Sequence, residues 1–509
     1  MGEFIIYALT HIFSPINLMT MIIGVAIGIV VGALPGLSAT LAVALMLPFT
    51  FGLAPETGIL LLVGAYCGGV YGGSITAILI KTPGTPASVA SVADGFSLTR
   101  QGRAYEALML SLIVSVVGGL LSGLALLFIA PQIATVALRF GPPEFFALAV
   151  FGLTIIASVS GKSMSKGMIM AAFGLLFSCV GFDKYNGEPR FIFGQRALYS
   201  GIQLIPAMIG VFAIAEVFNQ VEEGAKSIAA DVEVKKNFKP TWKYFKGLTG
   251  TTLISSIIGI IIGAIPGTGG AIASFVAYNG EQSRAKDPET FGKGNIRALA
   301  AAETGKNATT GATLIPMLTL GIPGDTVTAI LLGALTIHGL SPGPRLFVEH
   351  GNLMYTVMLG FFVVNILMLF EGLLAIKWFS KIVSLSSAIL LPIILVTCLL
   401  GAFASNNQIS SVTIAVAFGV FGYVLSKFSY PMAPMLIAMI LGPIAEVALR
   451  QSLVMSDGNP AIFVQRPLSL VFLILAVGSL LLPVIQKKRR KKTPPGQKTD
   501  VTETEEQES

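Results

Sequence analysis

The chain has 509 residues, 54% hydrophobic and only 12% charged, with a net charge of +7. Soluble domains carry about 25% charged residues. Apolar runs near the roughly 20 residues that cross a bilayer as a helix recur through to Ile485, so a water-soluble fold is excluded.

A lipid-embedded backbone must satisfy its own hydrogen bonds, which predicts an all-α, polytopic helix bundle. No Lys or Arg precedes the first apolar run, so the basic start of a cleaved signal peptide is missing. Apolar segments are predicted over 18–34, 37–50, 58–80, 106–130, 144–160, 167–182 and 201–218. The polar stretch 219–247 is read as a cytoplasmic connecting loop between two membrane halves, 1–218 and 248–486. In the second half the segments are 248–265, 268–278, 298–320, 325–338, 353–376, 385–403, 408–425, 430–448 and 468–486. From Lys487 the chain is charged and polar, and 487–509 is predicted to be a disordered cytoplasmic tail. Asp94-Gly95 reads as a turn, and Glu216, Glu371 and Glu446 as lone acids near span ends.

Basic residues cluster in 100–103, 162–166, 226–246, 284–297, 377–381 and the tail. Placing them in the cytoplasm puts the N-terminus outside and the C-terminus inside. Loop 183–200, with Lys184, Arg190 and Arg196, falls outside against that rule. Cys67, Cys179 and Cys398 lie far apart in apolar runs, which argues against a disulfide framework or a cysteine zinc motif. With no HExxH, CxxC or Walker lysine loop, the sequence calls for no cofactor. The positive charge needs no nucleic acid, since much of it lies in 487–492.

Two stretches repeat. Gly32-Ala33-Leu34-Pro35-Gly36 recurs as Gly263-Ala264-Ile265-Pro266-Gly267, and each leads at a similar interval to a second Pro-Gly pair, Pro83-Gly84 and Pro323-Gly324. Several short apolar segments flank these pairs, as expected of re-entrant or discontinuous helices. The loop near Glu56 has no Lys or Arg, whereas its counterpart 279–297 is rich in them. After the second pair the order reverses. The repeats are therefore predicted to be inverted in the membrane, a pattern that points to a secondary transporter with its site at the breaks.

A helix broken at Pro-Gly frees backbone N–H groups at the positive end of its second half, which suits a carboxylate. The predicted substrate site is Pro35, Gly36, Lys81, Thr82, Pro83, Gly84, Thr85, Pro266, Gly267, Lys306, Asn307, Pro323, Gly324, Asp325 and Thr326. Ser38, Thr40, Thr268 and Ser274 are candidates for a coupling cation, sodium if not a proton. Ionisable groups in apolar runs are costly. Lys306 therefore reads either as a carboxylate ligand or as one half of a buried ion pair with Glu303 or Asp325.

The stretches 32–38 (GALPGLS), 71–84 (YGGSITAILIKTPG), 94–103 (DGFSLTRQGR), 263–269 (GAIPGTG), 291–294 (FGKG) and 318–344 carry a resemblance over nearly the whole chain. In them the chain resembles the TctA family, the large membrane subunit of tripartite tricarboxylate transporters. The resemblance implies uptake of di- and tricarboxylates or related acids, driven by a cation gradient without ATP. It also implies a periplasmic solute-binding protein and a smaller membrane subunit of about four spans. Lys81, Lys306 and Asp325 stand where the family usually has neutral residues, which argues against citrate as substrate. A bacterial inner-membrane carrier is thus expected, with a channel or a membrane-embedded enzyme as the alternatives. No paired metal or nucleophile set favours the enzyme.

Overall fold

The computed structural model describes residues 2–159, 163–183, 186–222, 224, 234, 238–379 and 387–492. Lys162, Lys184, Lys226, Lys235, Lys236, Lys381 and the tail from 493 lie outside the described residues. Among the described residues helices dominate the fold, and seven are long and apolar enough to cross a membrane: Pro15–Gly32, Pro55–Ile80, Ala104–Ala137, Leu204–Glu222, Gly351–Ala375, Ile409–Lys427 and Ala433–Met455. Shorter apolar helices include Thr249–Gly263 and Thr326–Ile337. Among the described residues, strand structure is confined to a hairpin pairing Gly181–Phe182 with Pro189–Arg190. Two boundaries differ from the sequence expectation. The last helix, Pro467–Lys492, continues through the first basic residues of the predicted tail, and Leu204–Glu222 enters the predicted loop.

Small residues set the packing. Gly24, Gly28 and Gly32 recur one turn apart on Pro15–Gly32 and lie against the backbone of Pro55–Ile80 at Leu61, Ala65 and Gly69. Gly64, Gly68 and Gly72 on the second helix answer them. Lipid tails are as apolar as side chains, so helices associate through close van der Waals contact, which small residues permit. The second repeat uses the same device: Ser255 is buried, Gly259 meets the Gly305 carbonyl and Gly263 meets Thr309. The opposite face of Thr249–Gly263 exposes Leu253, Ile254, Ile257 and Ile261, as a lipid-facing stripe would. Pro55–Ile80 has no such stripe. Its most apolar window is wholly buried, so it runs through the centre of the bundle.

Both repeats break where the sequence places the Pro-Gly pairs. Pro15–Gly32 stops before Gly36 (φ 79°), and Ala39–Met46 starts afresh from Ser38, whose hydroxyl accepts the Leu41 N–H at 3.2 Å. Thr249–Gly263 stops before Gly267 (φ 82°), and Gly269–Gln282 follows. The second breaks match as well: Pro55–Ile80 ends on a left-handed Lys81 (φ 62°) and Leu314–Leu320 on a left-handed Gly321 (φ 71°). The repeats then interlock. Ala39–Met46 packs on Thr326–Ile337, and Gly269–Gln282 packs on the segment from Pro86 to Arg100.

Gly84 is the tightest point of the first repeat. Its N–H donates to the Gly73 carbonyl at 3.1 Å, and a Cβ there would meet the Gly32 carbonyl, Gly73 and Thr76. Gly84→Ala is expected to cost about 1–3 kcal/mol through overpacking against backbone, read as a lower melting temperature in detergent. Unchanged melting would mean that the three segments separate freely.

Candidate functional site

The interlocked breaks enclose a cavity of 470 Å³. Four chain segments enter it at their N-terminal ends: Ser38–Thr40, Thr85–Ala87, Gly267–Ala271 and Asp325–Val327. Each precedes or opens a helical piece, so their dipoles aim positive ends at one space. The first four N–H groups of a helix have no partner inside it, and Gly269–Gln282 has no capping side chain. Its first residues are Gly269, Gly270 and Ala271, whose small side chains let a ligand reach the backbone. The helices also brace each other, between the repeats and within the second. Thr40 and Thr326 hydroxyls stand 3.1 Å apart, and the Gly267 N–H donates to the Gly324 carbonyl at 2.7 Å.

Asp325 organises one wall. Its carboxylate accepts the Thr328 N–H at 2.8 Å, and its own N–H donates to the Thr328 hydroxyl at 2.8 Å, which completes a capping box on Thr326–Ile337. The other oxygen accepts the Tyr66 hydroxyl at 2.6 Å, and Thr313 lies 3.0 Å from the same hydroxyl. Tyr66 belongs to the first repeat, so the contact ties the two together.

Lys306 is the positional counterpart of Tyr66: each stands equally far before the Gly of its second Pro-Gly pair (Gly84 and Gly324). It reaches the other way, to Ser88 at 3.1 Å and to Ser74. It is fully buried, pairs with Glu303 at 3.1 Å and does not line the cavity. Its contacts are those of the ion-pair alternative, with Glu303 as the partner. Asn307 donates to Ser115 at 2.7 Å and to the Glu303 carbonyl, also away from the cavity.

The remaining expected residues divide. Thr85, Gly267, Asp325 and Thr326 line the cavity, as do Ser38, Thr40 and Thr268 among the cation candidates. Pro35, Gly36, Thr82, Pro83, Gly84, Pro266, Pro323 and Gly324 shape the breaks without lining it. Lys81 is exposed at its helix end, and Ser274 is buried on the Ala302 carbonyl at 3.2 Å. Thr268 donates to the Ile262 carbonyl at 2.5 Å and to Ile265 at 2.9 Å, which holds the break.

Three residues were not among the expected site residues. Glu216 lines the cavity from the Leu204–Glu222 helix and accepts from Gln220 at 3.1 Å. Tyr66 and Asp94 are the others. Asp94 lies in the middle of the helix Val89–Arg100, which corrects the predicted turn. Its buried carboxylate accepts the N–H groups of Gly292, Gly294 and Asn295 at 3.0, 2.9 and 2.7 Å and the Tyr278 hydroxyl at 2.9 Å. It thereby fastens the first repeat to the Phe-Gly loop of the second.

A larger cavity, 820 Å³, lies beside Gly321 and holds Arg190, Arg450, Asp183 and Glu446. These charges satisfy one another: Arg190 meets Glu446 at 2.8 Å, and Arg450 meets Asp183 at 3.1 Å and Glu446 at 2.8 Å. Glu446 is thus paired, and the pairing offsets the basic charge of loop 183–200. The smaller cavity has open backbone donors, so it is the better ligand site despite its size.

Spanning helices, paired breaks and the cavity between them define a multi-pass membrane protein. The chain belongs to the tripartite tricarboxylate transporter TctA family, which matches residues 18–437. It is therefore a membrane component of a tripartite transporter and works with partner subunits. It is 36% identical to an uncharacterised 52.8 kDa protein in the TAR-I ttuC' 3' region of Agrobacterium vitis, over 94% of this chain and 96% of that one. It is 34% identical to an uncharacterised protein in the TAR-II ttuC' 3' region of the same organism, over 45% of this chain and 97% of that one. No solved structure matches.

Proposed function

We propose that this chain conducts small organic anions, di- and tricarboxylates or related acids, into a bacterial cell by gradient-driven symport with a cation. The observation that carries this reading is the cavity at the four breaks. Its size falls within the roughly 300–1,000 Å³ of small-molecule sites, and converging helix starts suit carboxylates. Among the described residues its lining carries two carboxyl side chains, Asp325 and Glu216, and no Lys or Arg. An anion entering beside Asp325 is favoured by accompanying positive charge, sodium or a proton, which favours symport over an open anion channel.

In this reading a periplasmic solute-binding protein delivers the substrate and a small membrane subunit of about four spans accompanies the chain. The protein catalyses no chemical conversion. It sits in the inner membrane with its N-terminus periplasmic and its C-terminus cytoplasmic, and the two repeats face opposite ways. The matched Pro-Gly breaks and the alike packing of the repeats support the inversion. A Cys beside Glu56 is then expected to react with an impermeant thiol reagent from the periplasm, and one beside Lys286 only after permeabilisation. The same sidedness at both positions ends the inverted-repeat account.

Uptake of labelled organic acids by vesicles holding the whole complex tests the function. Gradient-driven uptake that needs the binding protein is expected. Flux indifferent to any gradient would instead indicate a channel.

A further inference from the structure

Behind the wall of the cavity sits an ion pair with no solvent exposure. Glu303 and Lys306 lie one turn apart on Ile296–Ala312, both at 0% exposure. Hydroxyls from other helices surround them. Ser74 donates to both Glu303 oxygens at 2.8 Å, Ser111 to one at 2.7 Å, and Ser91 closes on the other. A buried pair adds little stability over well-packed neutral residues, because desolvation offsets its attraction. Ionisable groups held in spanning helices more often mark ion or proton paths.

What sets this pair apart is its connection. Thr85 lines the cavity, its hydroxyl stands 3.0 Å from that of Ser88, and Ser88 stands 3.1 Å from Lys306 Nζ. A continuous chain of exchangeable protons thus joins the cavity to Glu303. The ionisable group facing the pair from another helix is Tyr71, whose buried hydroxyl has no hydrogen-bond partner among the described residues and feels the Glu303 charge. Serines 74, 88, 91, 111 and 115 supply the remaining polar faces. Asp325, Tyr66 and Glu216 stand on the cavity side.

We propose that Glu303 and Lys306 form the proton-carrying site of the transport cycle, filled from the substrate cavity through Thr85 and Ser88. Lys306 gives one N–H proton to Glu303. Once neutral, it takes a proton from the Ser88 hydroxyl, which turns round to donate. Ser88 is refilled by Thr85, and Thr85 from the cavity. Both hydroxyls and the ammonium end as they began, and only the carboxylate has changed, to a carboxyl. The pair goes from zero to one positive charge. That charge favours an anion in the adjacent cavity, and the anion favours the proton by the same factor. The inference rests on the carrier reading above and names its coupling ion.

The test uses the complex purified with its co-expressed partner subunits and placed in liposomes. Labelled succinate, malate and citrate are followed in two ways: accumulation under an inward proton gradient without sodium, and exchange of label without any gradient. The parent is expected to do both, with accumulation requiring the proton gradient. Glu303→Gln is expected to lose accumulation while still exchanging label, and Ser88→Ala to slow accumulation more than exchange. Parent-like accumulation by Glu303→Gln overturns the proposal, as does parent accumulation that follows a sodium gradient and ignores pH. If Glu303→Gln fails to fold, Ser88→Ala decides, because it keeps both charges. Accumulation there at the parent's rate overturns the proposed route. A parent that exchanges none of the acids removes the carrier reading itself, a result distinct from a failure of coupling.

Discussion

Lys306→Ala is expected to lose about 3–5 kcal/mol of stability, the cost of stranding one charge of a buried pair. Glu303 would keep its serine donors but lose its counter-charge at 0% exposure. Removing the long side chain also leaves a void in close-packed surroundings. Thermal unfolding of the detergent-solubilised protein reads the loss. The double variant Lys306→Met with Glu303→Gln is expected to regain most of it, because replacing both charges by neutral groups of similar volume is often neutral or better. A Lys306→Ala protein as stable as its parent would show that the pair is not ionised. The double variant should nonetheless fail to concentrate substrate, which separates the stability of the pair from its role in transport.

Asp325→Ala is expected to abolish uptake while the protein still reaches the membrane. Three contacts go at once. The helix Thr326–Ile337 loses its N-cap, worth about 1 kcal/mol. The Thr328 and Tyr66 hydroxyls lose their acceptor, and a buried donor left unsatisfied costs about 1–3 kcal/mol. The penalty falls on the wall of the cavity, where the two repeats meet, so the helix starts no longer converge as they did. Asp325→Asn is the sharper variant. Its amide oxygen can still cap the helix while its NH2 donates to the Tyr66 hydroxyl, which turns to donate to Thr313, so its melting temperature should stay close to that of the parent. It removes the carboxylate on the cavity wall that favours an accompanying cation, and uptake should lose its steep dependence on the gradient. Full gradient-driven uptake in both variants would remove Asp325 from the site.

Much of this architecture is written in the sequence at short range. Pro35-Gly36 and Pro266-Gly267 end helices because Pro lacks an N–H and Gly takes the left-handed turn, so the breaks can be read locally. The glycines at 24, 28 and 32 also carry a visible four-residue spacing, although its meaning depends on the matching row at 64, 68 and 72. The site itself was only half legible. Thr40 and Thr326, or Tyr66 and Asp325, meet because the repeats interlock, and no local pattern records that crossing. Lys306 had two readings for the same reason: the serines that hold its partner come from Ser74, Ser91 and Ser111, on three separate helices. Asp94-Gly95 resembles a turn in composition. Burial against the loop at 292–295 overrides that preference and keeps it helical, with the carboxylate serving three backbone donors.

The claim at the centre is that the cavity between the four breaks is where the transported acid binds. It is tested most directly by Thr40→Cys in a chain whose Cys67, Cys179 and Cys398 are replaced by Ser. Thr40 is half-buried on the cavity lining. Alkylation of this Cys is predicted to stop uptake, and the transported acid, added beforehand, is predicted to slow the alkylation. Uptake that continues after complete alkylation, with a labelling rate indifferent to the acid, would contradict the assignment.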